Sequence, residues 1–193
     1  MRGMRRPRGV APAIAELPAA PVFFDTNIIV YAHDTTDALR GERARQLLFE
    51  AMRQRKLVIS TQVMQEFYSV VVRKNWMQPD DAFTALRLLA EHTVVPASAD
   101  SVLRAIGLQQ RYVVSVWDAL IVQAALDAGC PVLFSEDLQH GQVFQALGGA
   151  AAEVTVVNPF AVPPVEAVGR ALHEPSPVYA TKSKASRAGR VAR

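Results

Sequence analysis

The chain lacks most of what several common functions require. One cysteine, Cys130, in 193 residues excludes an intramolecular disulfide and suits a reducing compartment. The four histidines, His33, His92, His140 and His173, show no paired metal-ligand spacing, and a single thiol cannot complete a zinc site with them. No apolar run reaches the roughly 18 residues that a membrane helix needs. The Arg-rich start could open a secretion signal, but Pro12, Glu16 and Pro18 interrupt what would have to be its apolar part. A soluble, cytoplasmic protein with no membrane partner is expected. No Gly-rich phosphate loop ending in Gly-Lys-Ser/Thr is present, nor Gly-x-Gly-x-x-Gly, nor Gly-x-Ser-x-Gly, which removes the motif-borne nucleotide-binding and serine-hydrolase readings.

What is present suffices for one domain with a real core. The length suits a single domain, and half of the residues are hydrophobic against 20% charged. The formal charge of +3 is unevenly spread. Residues 1–20 carry +3 and residues 161–193 carry +4, so residues 21–160 carry −4. The high pI therefore belongs to two basic, Pro- and Ala-rich tails, expected to be disordered, around a domain at 21–160. Such tails could touch nucleic acid through phosphates or simply aid solubility.

Hydrophobic patterning places short, wholly apolar strands between helices. Strands are expected at 22–25, 57–60, 93–95, 131–135 and 154–157. Helices are expected at 28–32, 39–54, 62–74 with Thr61 as cap, 79–91, 99–110 with Ser98 as cap, and 115–128. Residues 136–148 read as loop and short helix, and 164–173 as a weak helix. Apolar strands alternating with helices argue an α/β fold, a doubly wound parallel sheet of about five strands covered on both faces. With the first and fourth strands adjacent, the order is 3-2-1-4-5.

Four acids fall where a core should be apolar. Asp25 interrupts Val22-Phe23-Phe24-Asp25-Thr26-Asn27-Ile28-Ile29, and Glu66 lies between Val63 and Val70 on one helix. Asp118 is the one charge in the stretch from Val113 to Ala125, and Asp137 stands just past the fourth strand. Each has a plain alternative: Asp25 or Asn27 as a helix cap, Glu66 on a wet helix edge, Asp118 capping a shifted helix start, Asp137 in a turn. Taken together they favour a shared site, because Asp25 and Asp137 flank the switch point of the 3-2-1-4-5 order, where a crevice forms. Carboxylates drawn together repel unless a cation lies between them. With oxygen ligands, Mg²⁺ or Mn²⁺ fits better than zinc, and such an ion activates water for phosphodiester cleavage.

At these residues the chain resembles the PIN-domain nucleases, and among them the VapC-like toxins of type II toxin–antitoxin pairs. The resemblance covers about residues 21–160. It rests on Phe24-Asp25-Thr26-Asn27, Gln62-x-x-x-Glu66-Phe67, Trp117-Asp118-Ala119-Leu120-Ile121, Phe134-Ser135-Glu136-Asp137-Leu138-Gln139-His140-Gly141 and Val157-Asn158-Pro159-Phe160. It implies a PIN-like fold and an acidic site holding Mg²⁺ or Mn²⁺ that cuts RNA. It also implies a homodimer and a small antitoxin protein as partner. By position, Asp25, Glu66, Asp118 and Asp137 become the catalytic quartet, with Asp25, Asp118 and Asp137 as metal ligands and Asn27 and Ser135 in support. Glu136 could assist or replace Asp137, and His140 is expected to order its loop through a hydrogen bond.

The resulting expectation is a Mg²⁺-dependent endoribonuclease toxin that hydrolyses RNA with metal-activated water. Two alternatives stand beside it: a DNA-directed or structure-specific PIN nuclease, and a non-catalytic PIN scaffold that binds RNA or protein.

Overall fold

The computed structural model describes residues 17–147 and 152–161. Contacts divide the chain into Met1–Ala161 and Val162–Arg193, and every described residue lies in the first unit. Most of both basic tails, and the helix expected at 164–173, lie outside the described residues.

In chain order the elements are β1 (Val22–Phe24), α1 (Thr26–His33), α2 (Ala38–Arg53), β2 (Leu57–Ser60), α3 (Thr61–Arg73) and α4 (Pro79–Leu89). They continue with β3 (Thr93–Val95), α5 (Ala99–Tyr112), α6 (Val116–Asp127), β4 (Val132–Phe134), β5 (Val143–Gln145) and β6 (Glu153–Val157). The sheet has the order β3-β2-β1-β4-β6-β5. All pairs are parallel except β5 with β6. β1 and β2 are buried along their whole length, as strands covered on both faces must be. Removing Phe23 or Phe24 from water stabilises the fold by about 1.5–3 kcal/mol each, since neither ring is exposed.

The expected five-strand order describes the parallel part of the sheet, and a sixth strand corrects it. β5 occupies part of the stretch read as loop and short helix, where the described residues contain no helix. It exists because Gly141 turns the chain at φ 80°, so that Val143 and Gln145 pair back onto Thr155 and Glu153. Only Phe144 of its three residues is buried, which leaves no period to read.

Helix starts follow their caps. Ser60, not Thr61, caps α3 by accepting from the Val63 N–H at 3.3 Å. Ser98 caps α5 in a reciprocal box with Ser101, and Pro79 with two acids opens α4 as the missing N–H and the helix dipole favour. α2 buries Ala44, Leu47, Leu48 and Ala51, the face its spacing indicated. Its Gly41 permits a close approach to α1, because a Cβ there would stand 2.6 Å from the Asp34 carbonyl oxygen. The buried Cys130 thiol is pushed up to about 12 by burial, so it is inert as a nucleophile. Among the described residues no helix is long and apolar enough to cross a membrane.

Candidate active site

Strand register builds the centre of the site. Phe24 pairs with Phe134 across β1 and β4, so the next residues on each strand, Asp25 and Ser135, emerge side by side at the carboxyl edge. β1 is where the sheet order reverses between elements that came earlier and later in the chain, the expected position of a crevice. Ser135 Oγ donates to Asp25 Oδ2 at 2.7 Å, and the Thr26 N–H donates to Asp25 Oδ1 at 2.6 Å. Asp25 therefore caps α1, as its plain alternative held, and it is also tied to Ser135 at the sheet edge. The two roles use different oxygens.

Asn27 joins the two strand-end acids. Its Nδ2 donates to Asp25 Oδ2 at 2.9 Å and to Asp137 Oδ2 at 3.0 Å, and lies 3.4 Å from Ser135 Oγ. Its Oδ1 accepts from the Glu136 N–H at 3.3 Å, while the Asp137 N–H donates to Ser135 Oγ at 3.2 Å. Glu66 enters from α3 and takes the Thr26 hydroxyl at 2.6 Å and Gln62 Nε2 at 2.8 Å. Thr26 and Gln62 stand in the motifs quoted above, where neither is assigned a role in the site. Gln62, one helical turn before Glu66, offered the available signal.

Asp118 stands apart from this network. It lies in the first turn of α6, where Ser115 is the cap: Ser115 Oγ accepts from the Asp118 N–H at 3.0 Å and donates to Asp118 Oδ2 at 2.7 Å. The link to the other acids is indirect, through Gln62 Nε2 and the Trp117 carbonyl at 3.4 Å. The start of α6 is also less buried than its apolar sequence suggests, with Trp117 64% exposed. Among the described residues no group of three or more His, Cys, Asp or Glu side chains closes into a ready-made ion cage.

Adjacent acids at 136 and 137 face different partners. Glu136 pairs with Arg40 at 3.0 Å. The Arg40 guanidinium also receives the Tyr31 ring at 5.4 Å and the Phe160 ring at 5.9 Å. Glu136 keeps the Tyr31 hydroxyl from ionising in its usual range. His140 Nδ1 accepts from the Asn158 N–H at 3.1 Å, a bond that ties its loop to the end of β6.

The electrostatics centre on Asp25. It is 7% exposed, and burial lifts its pKa to about 6, against the lowering effect of Ser135 and Thr26 and with a further rise from Asp137 and Glu66. Among the described residues none of the four acids is in a salt bridge. An uncompensated buried carboxylate is costly, and here hydrogen-bond donors orient it without cancelling its charge. A cleft of ≈ 530 Å³ opens beside Asn27, Glu66 and Asp137 and runs between α1 and α3 as far as Lys74 and Trp76.

Residues 22–143 match the sequence model of the PIN domain family, a span that holds all four acids. Among curated proteins none matches the chain. Solved structures also resemble it, among them the following three. A toxin–antitoxin complex from Klebsiella pneumoniae shares 22% identity over 73% of this chain and 99% of its own, with a TM-score of 0.51. VapC20 of Mycobacterium tuberculosis, described as a sarcin-ricin loop cleaving toxin, shares 23% over 58% and 86%, with a TM-score of 0.49. VapBC2 of Rickettsia felis, bound to a DNA fragment from its promoter, shares 18% over 59% and 85%, with a TM-score of 0.44.

Proposed function

We propose that this chain, which belongs to the PIN domain family, is a metal-dependent endoribonuclease and the toxin of a toxin–antitoxin pair. In this reading it acts as a homodimer in the cytoplasm and is silenced by a small antitoxin protein. The observation that carries the reading is Asp25: a buried carboxylate at the sheet's switch point, hydrogen-bonded to Thr26, Asn27 and Ser135 but paired with no cation among the described residues. The description of the Klebsiella pneumoniae structure as a toxin–antitoxin complex agrees with it.

The donors present fit a hard divalent ion. Every candidate ligand is oxygen, and Mg²⁺ is commonly held by one or two carboxylates with water in its remaining positions, so a three-acid cage is not required. Asp25 and Asp137, both bonded to the Asn27 amide nitrogen, would hold it, with Asp118 and Glu66 on neighbouring helices. When bound, Mg²⁺ or Mn²⁺ supplies Lewis acidity that lowers the pKa of water and stabilises charge on phosphate oxygens.

The chain's own residues do the positioning. Asn27 fixes the spacing of Asp25 and Asp137, Ser135 fixes Asp25 Oδ2, and Thr26 and Gln62 hold Glu66 from either side. In this route the ribose 2′-hydroxyl takes no part, so the products carry 5′-phosphate and 3′-hydroxyl ends. A His-dependent ribonuclease leaves a 2′,3′-cyclic phosphate and needs no Mg²⁺. Mass spectrometry of cleaved RNA, with a second substrate bearing one 2′-deoxy residue at the cut, tests this. A cyclic phosphate, or cleavage lost on 2′-deoxy substitution with binding unchanged, overturns it.

A further inference from the structure

The cleft extends well past the acids, and its far end has a different chemistry. α3 provides one wall, presenting Glu66, then Ser69 and Val70, on one helical face, with Lys74 and Trp76 just beyond its end. At 1.5 Å per residue, Glu66 and Lys74 are about 12 Å apart along the axis. That length suits about two nucleotides of a single strand leaving the scissile phosphate. Asn75 adopts a left-handed conformation, φ 56°, and the Trp76 N–H bonds back to the Val71 carbonyl at 2.9 Å. This turn brings the half-buried indole into the cleft, with the Lys74 ammonium 4.3 Å from its ring centre.

Together with the proposed ribonuclease reading, on which it rests, this geometry points to a nucleotide subsite: we infer that a base of single-stranded RNA next to the cut stacks on Trp76 while Lys74 takes its phosphate. Base–aromatic stacking combined with a neighbouring cation is how single strands are held without dependence on sequence. The cleft floor is apolar at Val30 and Val70, and Gln65 and Ser69 put an amide and a hydroxyl on its rim. These groups suit a base plane and its edge. Among the described residues Lys74 is the one cation that lines the cleft, with Asp34 near it, which favours a stacked base with a single phosphate contact over a tract of backbone. A docked protein segment is the competing occupant.

The chain has two tryptophans, Trp76 and Trp117, so Trp117→Phe isolates the indole signal. Fluorescein-free random hexaribonucleotides are titrated into the full-length Trp117→Phe chain with Ca²⁺ in place of Mg²⁺, and binding is followed in parallel by calorimetry. Saturable quenching of Trp76 is expected. Trp76→Phe should retain most of the affinity, Trp76→Ala should lose about tenfold, and Lys74→Gln should reduce the salt slope of binding by about one. Bound RNA with no quenching overturns the subsite, as does no RNA binding at all. So does a Trp76→Ala chain that binds RNA normally yet loses affinity for its protein inhibitor, which would give the cleft to that partner. RNA that quenches Trp76 but is never cleaved with Mg²⁺ or Mn²⁺ removes the ribonuclease reading while the subsite stands.

Discussion

Asp25→Asn offers the sharpest physical test of the site, because the cost of burying that carboxylate depends on pH in a defined direction. Its pKa rises from 3.8 to about 6 on folding, mainly by burial. At 1.36 kcal/mol per unit, that is about 3 kcal/mol. A carboxyl that is harder to ionise when folded holds its proton more tightly in the folded state. The metal-free protein therefore has its full stability below about pH 3.8, loses it as the pH rises toward 6, and stays about 3 kcal/mol poorer above that. The variant has no such loss. Asparagine at 25 still accepts from the Thr26 N–H, but its amide nitrogen would face the Asn27 nitrogen and the Ser135 hydroxyl. That mismatch costs about 1–3 kcal/mol and does not change with pH.

The readout is thus a difference in pH dependence. Both proteins are melted in EDTA from pH 4 to 7.5, and the wild type should fall relative to the variant by about 6–12 °C at a domain of this size. Mg²⁺ should then recover part of the wild-type loss above pH 6 by mass action, and recover much less in the variant. Parallel melting curves across the whole range would refute the reasoning, since Asp25 would then be ionised as easily in the fold as outside it.

Asp118→Asn should keep its bonds to Ser115 and melt within about 2 °C of wild type. It should cleave RNA more than about 100-fold more slowly, and activity retained would remove Asp118 from the site. An antitoxin should reach the four acids with an Arg, whose planar donors match carboxylates, and its Arg→Ala form should bind but inhibit poorly. Unchanged inhibition would mean that the antitoxin acts by covering the cleft. Val113 is 90% exposed and left-handed at φ 56°, a conformation costing L residues about 1–2 kcal/mol. Val113→Gly should therefore raise the melting temperature by about 2–4 °C, and a drop would show that the side chain has a contact worth more than the strain.

The parallel core was legible because strands buried on both faces can be written only in apolar residues, as Val22-Phe23-Phe24 and Leu57-Val58-Ile59 are. β5 was not legible, since three residues with one buried Phe144 make a strand only once β6 is beside them. Asp25 and Asn27 were visible as polar residues that broke an apolar run. Their connection to Asp137 needed the register of β1 with β4, for which the guessed adjacency of those strands sufficed. The Arg40–Glu136 pair spans 96 residues, and no local pattern announces it. Trp76 follows the end of the helix expected at 62–74, yet nothing in its neighbours told that the indole would lie in the same cleft as Glu66.

That long-range pair bears on which of two adjacent acids belongs to the crevice. Glu136 and Asp137 follow one another on a loop, so their side chains diverge, and a motif alone could assign either. Arg40, steadied between the Tyr31 and Phe160 rings, takes Glu136 outward. Asn27 takes Asp137 inward toward Asp25 with a neutral donor. The outward acid has its charge matched, and among the described residues the inward one does not. A fold under pressure for stability alone would have given the cation to the pair that repels, Asp25 and Asp137, where burial makes compensation worth most. Placing it one residue away leaves Asp25 and Asp137 with no cationic partner among the described residues, which is the arrangement the proposed metal site calls for.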